Sequence, residues 1–371
     1  VDFARFRLAR TPSVGPITYR RLLARYGTAE AALAALPALA AQAGRVAPKP
    51  PDADALRHEL AGLADLGAEL LLLGDARYPG ALAELEDAPP ALSVLGDVGL
   101  LSTRSVALVG ARNATLNGRR IAAAIAEALA ESGLAVVSGL ARGIDAAAHT
   151  GAMRGGRTVA AIAGGLDRPY PAEHAALQQA IAENGAVVAE QPLGTAPQAR
   201  HFPRRNRIIA GLSLGVVVIE AALRSGSLIT ARLAAEAGRD VFAVPGSPLD
   251  PRCRGSNDLL RQGAVLTETA DDVLAHLTAS LKAPRSRPTP VMREPTTAWS
   301  GPPPSAGELA VARTRLLDLL GPTPSSVDDL VRDCQLPTAG VLAALLDLEL
   351  SGRLEMLPGN RVALLDELGL T

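Results

Sequence analysis

SVALVGARNATLNGRRIAAAIAEALAESGLAVVSG, residues 105–139, holds a β-branched run, a glycine turn, an alanine-rich stretch with helical spacing and a second β-branched run. Both runs are apolar throughout rather than alternating, the pattern of strands covered on two faces. Strand, helix, strand in that order is the crossover unit of a parallel sheet. The unit repeats outward, with further runs at Thr158–Ala163, Ala186–Glu190, Gly215–Glu220, Val241–Val244 and Ala264–Thr267. Helical stretches lie between them near 118–132, 144–154, 173–184, 226–238 and 270–279. The expected fold class is α/β, a doubly wound, mostly parallel Rossmann-like sheet.

Different patterns flank this core. Residues 1–80 read as helical, with a turn at Ser13-Val14-Gly15-Pro16. That turn resembles a helix-hairpin-helix, whose glycine turn presents backbone N–H groups to a phosphate, but it fits a plain small helical bundle with a tight turn better. Residues 81–281 make the extended Rossmann-like domain. Residues 282–307 contain seven prolines without apolar periodicity and read as a linker. Residues 308–371 read as three helices and a hairpin around Pro358-Gly359-Asn360, a winged helix.

Composition removes several function classes. No window approaches eighteen uninterrupted apolar residues, and Val1 to Arg10 alternates charged with apolar residues, so neither a membrane segment nor a secretion signal is expected. Cys253 and Cys334 lie far apart, implying neither a disulfide framework nor a zinc site. A cytoplasmic location is the expectation. Of the 37 basic residues all but Lys49 and Lys282 are arginines, and neither lysine follows a glycine-rich turn. P-loop and Schiff-base chemistry, which need such a lysine, are poor fits.

The loops after the strands carry the candidate site. Gly110-Ala111-Arg112-Asn113 stands where a dinucleotide-binding protein would show G-x-G-x-x-G, and Ser138-Gly139 where it would show a ribose-binding acid. No nicotinamide or other cofactor is therefore implied. A glycine turn with an arginine beside it, feeding a helix, suits a phosphate. The second loop repeats the design with Gly139, Arg142 and Gly143, and its Asp145 and His149 read as a helix-start carboxylate and an i+4 partner rather than as a catalytic pair. In the third loop, Arg200-His201-Phe202-Pro203-Arg204-Arg205-Asn206-Arg207, four arginines and one of nine aromatic residues occur without an acid. Charge for a backbone and a ring for a base are what a single strand needs, although Phe202 also fits a core position and some arginines could pair with Glu190 and Glu220. A fourth loop places Ser225, Gly226, Ser227 and Thr230 at a helix start. All four loops belong at the carboxyl ends of parallel strands, forming a strip.

These residues resemble a known family. Val109-Gly110-Ala111-Arg112, Ser138 to Asp145 with His149, Gly165-Leu166-Asp167 with Tyr170-Pro171, Phe202 to Gly211, Ser225 to Ala231 and Val241 to Gly246 are similar to the DNA-processing protein A (DprA/Smf) signature, in its order, over about 105–270. The resemblance implies single-stranded DNA binding without catalysis, homodimerisation through the core, and loading of RecA onto incoming DNA in natural transformation. It implies strand contact at Arg112, Phe202 and the cluster Arg204 to Arg207. A lysine found in some members just upstream of the phenylalanine has no counterpart here, and Arg200 stands nearby.

Two rival functions are weaker. A phosphoribohydrolase-type nucleotide enzyme wants Pro-Gly-Gly-x-Gly-Thr with a following glutamate, where this chain has Ser225-Gly226-Ser227-Leu228-Ile229-Thr230. A transcription regulator would use the winged helix, but 308–371 carries ten acids against five arginines, and a duplex reader should be basic. The module reads instead as a protein-interaction or regulatory domain of unnamed partner.

Overall fold

A computed structural model describes residues 1–42, 47–282, 306–321, 324–334, 336–350, 353–357 and 360–364. The central sheet has nine strands: β1 (Ala68–Leu72), β2 (Ala91–Gly96), β3 (Ser105–Gly110), β4 (Ala135–Ser138), β5 (Thr158–Ile162), β6 (Ala186–Ala189), β7 (Gly215–Ile219), β8 (Asp240–Ala243) and β9 (Val265–Leu266). Their order is β1-β2-β6-β5-β4-β3-β7-β8-β9. From β6 to β9 all neighbours are parallel, while β2 runs antiparallel to β6, and β1 to β2. The α-helices of the described residues, in chain order, are α1 (Phe3–Ala9), α2 (Pro16–Tyr26), α3 (Ala29–Gln42), α4 (Ala53–Asp65), α5 (Gly80–Ala83), α6 (Leu116–Glu131), α7 (Ile144–Ala152), α8 (Ala175–Asn184), α9 (His201–Leu212), α10 (Gly226–Glu236), α11 (Arg254–Arg261), α12 (Ala270–Lys282), α13 (Ala306–Leu319), α14 (Val327–Cys334) and α15 (Thr338–Leu350).

The apolar strands are covered on both faces, as expected. Along β3, Ala107 and Val109 enter one core with Val137, Val188, Ile208 and Val218. Val106 and Leu108 enter the other with Ile125, Leu129, Ile144 and Ile219. Two expectations are corrected. Residues 1–80 are not helical throughout, because Ala68–Leu72 pairs with β2 over five residues, and that ladder overrides the helix preference of its leucines. The third loop is not a loop beyond Arg200: the phenylalanine and three of its arginines lie on α9, whose apolar half, Ile208, Ile209, Ala210 and Leu212, packs on the sheet.

The chain passes from β3 to β4 on one side and returns to pair β7 on the other, so β3/β7 is the topological switch point where such sheets open a crevice. No described helix is long and apolar enough to cross a membrane.

The described residues within Arg57–Pro284 form one compact unit around this sheet. Those within Asp2–Leu56 and Arg285–Thr371 form the other. In the second unit α13, α14 and α15 accompany a small sheet of β10 (Ser325–Ser326), β11 (Leu354–Leu357) and β12 (Arg361–Leu364) in the order β10-β12-β11, the expected winged helix. Leu346 of α15 shares a core with Leu8, Tyr19, Leu22 and Leu36 of α1–α3. The proline-rich stretch between α12 and α13, and the turn residues Pro358 and Gly359, lie outside the described residues.

Candidate nucleic-acid interface

A groove of about 570 Å³ opens at the β3/β7 switch point. Its walls come from the loops after β3, β4 and β7 and from the first turns of α9 and α10. Gly110 closes β3 where an added Cβ would collide with the Ile219 carbonyl and the Ile144 side chain. Gly143, at φ +77, lets the second loop press against the carbonyls of Ala111 and Arg112, a contact with no room for a side chain. Two glycines thus bring the β3 and β4 loops together.

Glu220 orders the first loop from across the sheet. At the end of β7, in a left-handed conformation (φ 50), it accepts the Thr115 backbone N–H at 2.8 Å and the Thr115 hydroxyl. Thr115 in turn caps α6 by accepting from Gly118 N at 2.9 Å. Arg112 and Asn113, exposed, are held on this braced turn and line the groove.

Phe202 stands half-buried on the opposite wall. The Arg112 guanidinium lies 5.3 Å from its ring centroid and that of Arg205 6.0 Å, and Tyr170, exposed, meets it edge-on at 5.5 Å. Its ring is therefore at a groove wall under a cation, rather than a plug in the apolar core.

The arginines of α9 divide sharply. Arg205 is 6% exposed and donates to the carbonyls of Gly139 and Ala161, beside the buried Asp145. Burial lowers its guanidinium to about 10, with the Asp145 charge opposing, so it stays protonated. Arg207, also buried, donates to the Asp87 carbonyl and to Glu190 at 2.5 Å, and it is not on the groove. Asn206 reaches the groove and donates to Gly226 O at 3.3 Å. The reading of Arg205, Asn206 and Arg207 as open strand contacts is corrected to this extent: their polar groups bind the frame, because partners distant in sequence surround α9. Arg200 and Arg204 remain on the exposed side of the helix start. Arg142 is exposed too, but it forks onto Glu173 at 2.6 and 2.8 Å and stands off the groove.

Asp145, in the first turn of α7, accepts the N–H groups of Gly139 (3.1 Å) and Ala141 (3.4 Å) from the loop that precedes the helix. Burial pushes its carboxyl up, while Arg205 and the two amides hold it down. His149 is not its partner. The Thr158 hydroxyl donates to Val136 O at 3.0 Å, so His149 Nδ1, 2.7 Å from Thr158 Oγ, must donate to it. Burial, then the Arg205 charge, lowers this imidazole from 6.5 to about 3, and it is neutral. A folded pKa below the unfolded one gives stability that is present above pH ~6.5 and lost as pH falls toward ~3. His149→Asn should be less stable at neutral pH and should lose stability less steeply across that window. Urea midpoints at several pH values check this, and parallel pH profiles would contradict it.

At the fourth loop Ser225 caps α10, its Oγ 2.6 Å from Ser227 Oγ, and Ser227 and Thr230 are buried on the groove floor with Gly226 beside them. Two further arginines line the groove: exposed Arg224, and Arg252, paired with Asp250 at 2.8 Å. Arg252 follows β8 in a short turn, where no periodicity in the sequence marks it.

Residues 69–278 match the family model for DNA recombination-mediator protein A, residues 1–62 that of the DprA-like N-terminal HHH domain, and residues 300–360 that of the DprA winged helix domain. The Smf protein of Escherichia coli is 39% identical over 289 residues, covering 77% of this chain and 75% of the relative. The DNA processing protein DprA of Streptococcus pneumoniae is 47% identical over 202 residues, 54% of this chain and 71% of the relative. Its solved structure superposes with a TM-score of 0.55 at 44% identity, covering 58% of this chain and 77% of that one. DNA processing protein A of Helicobacter pylori, solved for its single-stranded DNA binding mode, gives 0.52 at 31% identity, covering 57% of this chain and 97% of that one.

Proposed function

This chain belongs to the DNA recombination-mediator protein A family, and from that premise we propose that it binds single-stranded DNA in the groove at the β3/β7 switch point. The observation that carries the reading is the Phe202 ring on the groove wall with the Arg112 guanidinium 5.3 Å from its centroid. A ring stacks on any base and a cation takes the phosphate, so strand binding without sequence preference follows. Gly110, Asn113, Gly139, Gly143 and the hydroxyls of Ser225, Ser227 and Thr230 shape or line the phosphate path, with Arg200 and Arg204 at its exposed margin. The function in the cell is to protect incoming strands and hand them to RecA, as a homodimer through the core, without catalysis of its own; family membership supports this part.

A titration of the full chain with oligo(dT), a duplex of equal length and mononucleotides, at several salt concentrations, tests the reading. Tight binding of oligo(dT) alone, falling steeply with salt, is expected. Preference for mononucleotides would favour a nucleotide enzyme instead. Arg112→Ala should weaken binding to every sequence and reduce the log–log salt slope by about 0.7, one single-strand phosphate contact. An unchanged slope would remove Arg112 from the strand.

A further inference from the structure

The winged helix contains a helix that its apparent purpose does not explain. In helix-turn-helix modules the second helix of the motif enters the major groove, and here that position belongs to α15. Base edges are read chiefly by arginine, lysine, asparagine or glutamine, and by carboxylates or hydroxyls only where these reach the groove. Thr338–Leu350, TAGVLAALLDLEL, contains none of those four residue types and has two acids.

Its two faces are both occupied. Val341, Ala344, Leu345 and Leu348 pack inward on Leu316, Val327 and Leu330 of the winged helix itself. On the other side Leu346 enters the core of α1–α3, and Ile17 of α2 joins the winged-helix core. Asp347 and Glu349, each 8% exposed, are buried with them. Glu349 lies beside Thr18 and Arg21 of α2. Its Oε1 is 4.0 Å from where a Cβ on Gly15 would stand, and its Oε2 has no hydrogen-bond partner among the described residues. Gly15 is the N-cap of α2, in the turn that a helix-hairpin-helix would offer to a DNA phosphate. A carboxylate of the same chain faces that place.

We propose that α15 is the docking surface for the chain's own N-terminal helices, so that the duplex-facing sides of the two modules cover each other and the pair is a clasp rather than a DNA reader. The partner of the acidic winged helix is α2, with Leu346 as the apolar anchor, Ile17 reaching back into the winged-helix core, and the buried Glu349 carboxyl facing the Gly15 turn. This assignment is independent of strand binding in the core groove, which oligo(dT) titration reports separately.

The test uses the full chain with a protease site inserted between α12 and α13. After cleavage the winged helix is joined to the remainder by non-covalent contacts alone, and size-exclusion chromatography reads whether it stays. Co-elution of the wild-type pieces is expected, and separation would overturn the proposal. Leu346→Asp, which places a carboxylate in the apolar contact with α1–α3, should weaken the association at least tenfold. Unchanged co-elution in that variant would show the piece to be held elsewhere. A duplex oligonucleotide added to the cleaved wild type should leave the complex intact, and displacement of the winged helix by duplex would show α15 to be a DNA-reading helix after all.

Discussion

Arg205→Met is expected to cost about 3–5 kcal/mol of stability, the penalty for stranding a buried charge, with a comparatively small direct effect on strand binding. Asp145, 6% exposed, would lose its cation, and the Gly139 and Ala161 carbonyls would lose their donor. Against a total of about 5–15 kcal/mol for a typical domain, this is a large fraction, and urea unfolding would show it as an early midpoint. The sign with pH follows from Asp145: without Arg205 its carboxyl rises further, so the defect should shrink in acid, where the carboxyl is neutral. Replacing Asp145 by leucine as well should recover part of the loss, since an apolar pair leaves no buried charge. If Arg205→Met melts normally but binds oligo(dT) poorly, the guanidinium serves the strand and not the frame.

Phe202→Ala should lower affinity for single strands by roughly 1–3 kcal/mol, the worth of one base stack. Its salt slope should not change, because no cation is removed. Half-buried at the groove wall, the ring does not fill the core, so the melt should move far less than the roughly 3–5 kcal/mol that a buried phenylalanine would forfeit. A variant that melts early yet binds normally when folded would reverse the assignment. Arg112 shares this ring, and its own substitution should differ by changing the slope.

The strand ends of the core were readable because their signals are local: continuous apolar runs ending in glycine, arginine and hydroxyl residues. Gly110, Arg112, Asn113, Phe202, Ser225, Gly226, Ser227 and Thr230 all reach one groove on that basis. The edge strand Ala68–Leu72 was not readable, since Ala-Glu-Leu-Leu-Leu suits a helix until β2 pairs with it. Nor was the division among the α9 arginines. Arg207 is taken by Asp87, 120 residues earlier, and by Glu190, and Arg205 by groups from the β4 and β5 ends. Successive residues turn by about 100° around a helix, so a run of arginines is spread over several faces and overstates the charge offered to a ligand. His149 illustrates the same limit, as its partner is a strand threonine and not the aspartate one turn away.

The clasp between α15 and the N-terminal helices has a consequence for biosynthesis. Leu8, Tyr19, Leu22 and Leu36 leave the ribosome before Leu346, which completes their core and is made only after the whole Rossmann-like unit. At roughly 5–20 residues per second the nascent helices wait roughly 15–60 s with an apolar face uncovered. During that interval the young chain offers chaperones a hydrophobic target that the finished protein conceals.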